Sequence, residues 1–417
     1  MSSQAYDVVI AGGGMAGGTL ALALAQAGLR TAVVDAQPLE TRLAPSFDGR
    51  ATAVAYANFR QWRALGLAAG LEPVAQPIRA IVVSDGAAPG AASRARAPAF
   101  LGFDSAEIAG RNDGDPLGWM VENRHIRAAI NTALERAGVE TVAPARVEGL
   151  EAEPGRRGLK LADGRVLSAP LVVGAEGRGS SVREAAGIRR IGWRYRHHGV
   201  VATVALERPH EGVAHQLFMG DGALAILPLT EDRASLVWTE PAALAGALME
   251  GSQAAFEAHL ARRFGGYLGR PRLAGGRFVY PLGFMLAERI AAERVALVGD
   301  AAHGVHPVAG QGLNLGLKDA AALAEVVVDA HRLGEDVGSA AVLERYVRWR
   351  RFDTAAVAAA SDLFTRFFAN GGAPARAVRA VGFAAMNRAP LLRRLAMREA
   401  GGDLGDLPRL LRGEALG

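Results

Sequence analysis

The chain has 417 residues, half of them hydrophobic and 21% charged, with 47 basic against 42 acidic residues for a net charge of +5. That is a globular composition, too apolar for disorder and too evenly mixed for a fibre, and so thin a charge excess without blocks of like charge points to no nucleic-acid partner. There is no cysteine, which excludes disulfides, thiolate metal sites, iron–sulfur clusters and electron transfer through a cysteine pair.

The N-terminus enters a β-branched run, Val8-Val9-Ile10, with neither a basic segment nor a long apolar stretch before it. No run of about 18 apolar residues follows, so neither secretion nor a membrane span is expected. From Tyr6 to Asp35 the pattern is strand, glycine turn, Ala/Leu-rich helix to Gly28, and a second strand from Thr31 to Val34 that ends in an acid. The glycines fit G-x-G-x-x-G as Gly12, Gly14 and Gly17, with Ala16 inside the motif. They suit a tight turn, room for backbone beside a pyrophosphate, and close helix-to-strand packing, while the helix N-terminus offers free N–H groups to the phosphates. Asp35 stands where a carboxylate accepts hydrogen bonds from ribose hydroxyls. The motif alone does not separate FAD from NAD. A second G-x-G-x-x-G is missing, since Gly174, Gly177 and Gly179 have other spacing, so one dinucleotide is held by a motif and any second one binds transiently.

Further along, Leu171 to Arg183 reads as a strand running into a turn that contains Glu176. Val295 to Val298 reads as a buried strand stopped by Gly299-Asp300; a Pro/Gly loop follows, and from about Gly312 an amphipathic helix begins. A carboxylate at such a strand end can bind a polyol, and the loop and helix start can offer N–H donors to an anionic ring.

The stretch from Arg294 to Asp329, above all Pro307 through Gly316, resembles the second FAD fingerprint of the single-component FAD-dependent aromatic hydroxylases (para-hydroxybenzoate-hydroxylase-like), in the branch that serves ubiquinone biosynthesis. Asp48-Gly49-Arg50 with Ala53, Val121-Glu122-Asn123-Arg124, and the His210 to Thr239 stretch are similar to the same branch, so the likeness runs from Tyr6 to Phe367 and takes in Arg350 and Asp353. The resemblance implies tightly bound FAD and transient NADH or NADPH. Its cofactor residues would be Gly12, Gly14, Ala16, Gly17, Asp35, Arg50, Asn123, Arg124, Glu176, Arg183, Asp300, Gly312, Leu313 and Asn314. Pro307, Gly310 and Gln311 would lie in the loop that positions the flavin. The family usually has aspartate where this chain has Glu176, which keeps the charge and moves it by about one methylene.

The implied fold is α/β (α+β), a Rossmann-like FAD-binding domain interleaved with a mixed β-sheet substrate domain, followed by C-terminal helices. Residues 1–75, 100–187 and 286–335 are assigned to the cofactor domain, 76–99 and 188–285 to the sheet, and 336–417 to the helical region. Residues 87–99 read as a loop.

His303 and His306 are spaced i, i+3 without a third ligand, so they are read as shaping the flavin-side loop, and no metal is expected. His197-His198 read as surface or cleft groups, and Arg350-Arg351 as a solvated helix face, with a membrane-facing basic patch as the alternative. The helix Ala355 to Phe368 reads as core, with lipid contact as its alternative.

The expected function is aromatic hydroxylation with NAD(P)H and molecular oxygen, on a phenol with or without a polyprenyl tail, by a cytoplasmic protein with or without peripheral contact to the inner face of the membrane or to a biosynthetic complex. The chemistry would belong to the cofactor, so no protein acid or base is assigned. A soluble aromatic substrate, an FAD-dependent isoprenoid reductase and a non-catalytic assembly flavoprotein are the alternatives.

Overall fold

Val8–Ala11, Thr31–Val34 and Leu171–Gly174 are buried at every position, the all-apolar pattern of parallel strands covered on both faces. The computed structural model describes residues 6–44, 48–85, 101–108, 115–219, 222–264, 266, 268–304, 311–351 and 382–417. Pro307, Gly310, His306, Asp353, the loop 87–99 and the helix expected from Ala355 to Phe368 lie outside the described residues.

The three buried strands form the centre of a six-stranded sheet in the order Ala291–Ala292, Val295–Leu297, Leu171–Gly174, Val8–Ala11, Thr31–Val34, Glu140–Val142. Every neighbouring pair is parallel except the first. Side-chain alternation divides the sheet between two cores. Val8, Ile10 and Val33 pack under the helices Met15–Gln26 and Gln311–Arg332, whereas Val9, Ala11 and Val34 meet Leu159, Leu161 and Ala169. Those last residues come from a three-stranded meander between Val147 and Ala169.

A second, eight-stranded sheet runs His303–Gly304, Arg272–Ala287, Arg190–Ala205, Arg233–Pro241, Gly222–Leu229, Val213–Met219, Ala80–Asp85, Leu101–Asp104. The helices Ala242–Glu250 and Gln253–Phe264 cover one face, with Phe256, Leu260 and Phe264 against Val200, Ile226 and Trp238. The other face turns toward a small sheet of Ala51–Ala55, Gly118–Glu122 and Gln76–Ile78, where Ala214, Leu227 and Leu229 meet Ala51, Ala53 and Met120. The strand Leu101–Asp104 thus belongs to the eight-stranded sheet, and Gln76–Ile78 to the small one.

A buried carboxylate locks the turn at Gly299. Asp319, on the helix Gln311–Arg332, accepts the Gly299 N–H at 2.9 Å, His303 Nε2 at 2.5 Å and Arg350 Nε at 2.7 Å. Arg350 is buried, which corrects its reading as a solvated face: its partner lies 31 residues back on another helix, beyond the reach of a local charge pattern. Tyr346, four residues before Arg350, donates to the Leu297 carbonyl at 2.8 Å. Burial alone would raise the Asp319 pKa, but the charge and hydrogen bonds of His303 and Arg350 outweigh it and hold the carboxyl at about 2.

Because that value lies below the ordinary carboxylate value of about 3.9, Asp319 adds stability that is complete above about pH 5 and is lost as the pH falls toward 2. Asp319→Ala leaves Arg350 buried without its carboxylate and is expected to cost about 3–5 kcal/mol. Urea unfolding as a function of pH checks both: the variant should lose stability at neutral pH and show a shallower acid decline than the wild type.

Candidate cofactor site

The register of the six-stranded sheet sets four strand ends level. Ala11 lies opposite Val34 on one side and Gly174 on the other, and Gly174 lies opposite Leu297. The residues that follow these ends are the glycine turn, Asp35, Ala175-Glu176 and Gly299-Asp300. All four therefore lie at the carboxyl edge of one parallel sheet, where open α/β sheets bind ligands. The two turns that bracket the edge also approach each other: a Cβ built on Gly299 would be 3.5 Å from the Ala16 side chain.

The three motif glycines have different surroundings. Gly12 has φ +101°, and a Cβ there would stand 2.4 Å from the Ala175 carbonyl oxygen; a Cβ at Gly17 would stand 2.1 Å from the Gly12 carbonyl oxygen. These two are demanded by the protein itself. Gly14 has an ordinary φ of −70° and nothing within 4 Å of its Cβ position. No folded-state contact requires glycine there, so the open space it borders is what a pyrophosphate would use. Gly14 caps the helix Met15–Gln26 without a side-chain hydrogen bond, and the first turn holds no acid, leaving its positive end available to an anion.

Asp35 is preset. One carboxylate oxygen accepts the Gly13 N–H at 2.8 Å and the other the Gln37 N–H at 2.9 Å. Arg42, buried beside it, donates to the Gly13 carbonyl at 2.7 Å and lies 3.4 Å from Asp35. Its Nε has no partner among the described residues, so a fixed cation with an unused donor sits under the phosphate turn. This donor set fits a dinucleotide pyrophosphate. The motif pattern passed over Arg42, although an arginine seven residues beyond Asp35 is a readable signal.

Asp48 organises the next group. It receives Arg50 in bidentate fashion at 2.8 and 3.0 Å, Asn123 Nδ2 at 2.9 Å and Arg127 at 2.5 Å. Burial would raise its pKa, but the bonds from Arg50, Asn123 and Arg127 prevail and push the carboxyl well below the usual range. The Arg50 guanidinium lies over the Tyr280 ring, 4.7 Å from its centroid. Burial would lower the Arg50 pKa; Asp48, Tyr280 and Asp300 overcome this and raise it, so the first and last thirds of the chain meet here. Gly49 is needed for that closeness, since a Cβ there would overlap the Phe278 ring at 1.8 Å. Tyr280 and Phe278 carry no local motif and were missed.

The other expected residues divide into two groups. Asp300 is partly exposed at the rim, with Arg178 3.4 Å away, and Gln311, Gly312 and Leu313 open the late helix. By contrast, Asn314 is tied to the protein through both ends of its amide, with Ala53, Ala55 and Asn58 as partners. Asn123 is likewise held between Asp48 and Thr52. Arg124 pairs with Glu122 at 3.2 Å. Arg183 is fully buried and donates to the Ala301 carbonyl at 3.2 Å. Glu176 accepts from Ser180 Oγ and from the N–H groups of Ser181 and Val182; burial outweighs these bonds and raises its pKa. Among the described residues no group of three or more His, Cys, Asp or Glu could hold a metal ion.

The FAD binding domain family matches residues 5–361. Over the whole of its length the chain is 45% identical to the ubiquinone hydroxylase UbiL of Rhodospirillum rubrum, covering 94% of that protein. It is 35% identical to the 3-demethoxyubiquinol 3-hydroxylase of Escherichia coli, across 96% of this chain and 99% of that one. The p-nitrophenol 4-monooxygenase PnpA of Pseudomonas putida shares the fold with a TM-score of 0.78 at 21% identity, covering 97% of this chain and 99% of that chain. A Klebsiella pneumoniae HpxO variant complexed with FAD does so with a TM-score of 0.73 at 18% identity, covering 99% and 100%. With the glycine turn, Asp35 and Asp300 on one sheet edge, the chain belongs to the FAD-dependent aromatic hydroxylase family, in its ubiquinone-hydroxylase branch.

Proposed function

We propose that the chain hydroxylates the ring of a polyprenylated phenol in ubiquinone biosynthesis, using FAD, NADH or NADPH, and molecular oxygen, as a cytoplasmic protein working at the inner face of the membrane. The observation that carries this reading is the meeting of Arg50, Tyr280 and Asp300 where the sheet ends face the eight-stranded sheet. An extended cofactor laid from the glycine turn past Asp300 would bring its ring end there, beside the apolar face that holds Leu227 and Leu229.

When bound, FAD accepts electrons from the nicotinamide and activates oxygen toward the phenol. The chain's own part is to hold and to shield. The first turn of Met15–Gln26, with Arg42, would take the pyrophosphate, Asp35 the adenosine ribose and Asp300 the ribitol. Backbone N–H groups at the start of Gln311–Arg332 would face the ring and stabilise negative charge there. Phe278 and Tyr280 would wall the ring end from water, and Asp48 would keep Arg50 ionised and oriented against Tyr280. No side chain is needed as nucleophile or base.

Gly14→Val should fold with wild-type thermal stability while binding FAD at least about tenfold more weakly, a loss of about 1.4 kcal/mol. Gly17→Val should instead lose stability, on the order of 1–3 kcal/mol, by overpacking against Gly12. Thermal melts of the two apoproteins and flavin titration separate these effects; equal FAD affinity for Gly14→Val and wild type would remove the phosphate assignment.

Asp300→Ala should purify colourless or nearly so, and wild-type turnover of a prenyl phenol under labelled oxygen gas should place the label in the product, read by mass spectrometry. Full flavin occupancy in the variant would refute the role of Asp300. Unlabelled product would refute the hydroxylase reading itself.

A further inference from the structure

Seven large hydrophobic side chains are strongly exposed among the described residues, and three of them, Leu391, Leu392 and Leu395, at 70%, 56% and 42%, fall within five positions of one helix, Pro390–Ala400. Scattered exposed leucines need no explanation, but a clustered stripe does. Helical spacing puts Leu391, Leu392 and Leu395 on one face and Arg393 and Met397 on the opposite one. That opposite face is anchored. Met397 is buried among Ile78, Leu117, Met120 and Leu229, and Arg393 binds Glu107 at 2.5 and 2.8 Å.

The anchor has a specific location. The cluster around Met397 fills the seam between the small sheet that follows Arg50 and the inner face of the eight-stranded sheet. The helix therefore lies across the outside of the seam where the substrate ring is proposed to sit, with its leucines turned outward. The exposed charges on and just before this helix are mainly positive: Arg394 and Arg398 on it and Arg388 two residues before it, against the single carboxylate Glu399. An apolar stripe flanked by arginines complements a surface that is apolar within and anionic at its border.

We propose that Leu391, Leu392 and Leu395, with Arg388, Arg394 and Arg398, form a docking face for an anionic lipid bilayer. The face sets the helix in the headgroup region and brings the seam to the membrane, so that a phenol whose polyprenyl tail stays in the lipid can present its ring. The purpose of the face rests on the hydroxylase reading above, whereas its geometry and lipid binding do not.

The test is co-sedimentation of the FAD-loaded protein with vesicles of phosphatidylcholine alone or mixed equally with phosphatidylglycerol. Wild type should bind the mixed vesicles, and about tenfold more weakly the neutral ones or the mixed ones at high salt. The triple variant Leu391→Gln, Leu392→Gln, Leu395→Gln should lose binding to the mixed vesicles by about tenfold or more, while keeping the wild-type flavin spectrum and melting temperature. Arg388→Gln, Arg394→Gln, Arg398→Gln should lose only the preference for anionic lipid.

With a short-tailed phenol in solution the leucine variant should match wild type, and with a long-tailed phenol in vesicles it should fall behind by about as much as its binding falls. The proposal is overturned if wild type does not sediment with anionic vesicles. It is overturned equally if the leucine variant binds as wild type does, or if the variant's sole change is the loss of a dimer on gel filtration, which would make the stripe a contact between copies. Failure of the hydroxylase reading is separate: wild type would then bind vesicles and yet put no labelled oxygen into either phenol.

Discussion

A parallel sheet brings the carboxyl ends of its strands to one edge, and this site exists because four of those ends are level. Ala11, Val34, Gly174 and Leu297 share one register, so residues separated by nearly 300 positions in the chain surround one crevice. The alternation that sets this register is fixed by burial on both faces, since a slip by one residue would exchange the side chains that meet the helices with those that meet the meander. The same register places Gly299 where its N–H can reach Asp319. Core packing and the shape of the Gly299 turn are thus a single constraint.

On that frame the chain repeats one electrostatic device. Five arginines near these strand ends are each paired with a carboxylate: Arg42 with Asp35, Arg50 and Arg127 with Asp48, Arg178 with Asp300, and Arg350 with Asp319. Arginine suits this because its planar fork can donate two bonds to one carboxylate, as Arg50 does to Asp48, and still show its face to a ring, as it does to Tyr280. Paired in this way, the cations are oriented before a ligand arrives. In the buried pair Arg350–Asp319 most of the energy offsets desolvation, and in the partly exposed pair Arg178–Asp300 solvent screens the attraction, so the contribution is chiefly to position rather than to net stability.

The parts of the site that were readable in the sequence are those carried by local pattern. The glycine turn, the acid after the second strand and the Gly299-Asp300 stop each sit within a strand-turn-helix context some 30 residues long, where periodicity and turn chemistry speak directly. Arg42, Tyr280 and the Asp319–His303–Arg350 knot have roles set by partners elsewhere in the fold. Arg350 beside Arg351 looked like an exposed charge pair because nothing nearby announces the buried Asp319. Asn123 and Asn314 were legible as part of the site, but their amides turn to the protein. The strand Leu101–Asp104 was unreadable for the same kind of reason: its partner is the separate segment Ala80–Asp85, and four residues carry little alternation.

Glu176 shows how a departure from the family pattern can be absorbed. The extra methylene lets the carboxylate fold back over the start of Ser181–Ala185, where Ser180, Ser181 and Val182 donate to it. One residue before it, the Ala175 carbonyl sits against Gly12; seven residues after it, Arg183 reaches the Ala301 carbonyl beside Asp300. The middle segment is therefore a brace between the early glycine turn and the late acidic one. What such a brace requires of its acid is a firm hold on the local backbone, which Glu176 has through Ser180, Ser181 and Val182. Gly12, Ala175, Arg183 and Ala301 thereby tie the early, middle and late turns together along one sheet edge.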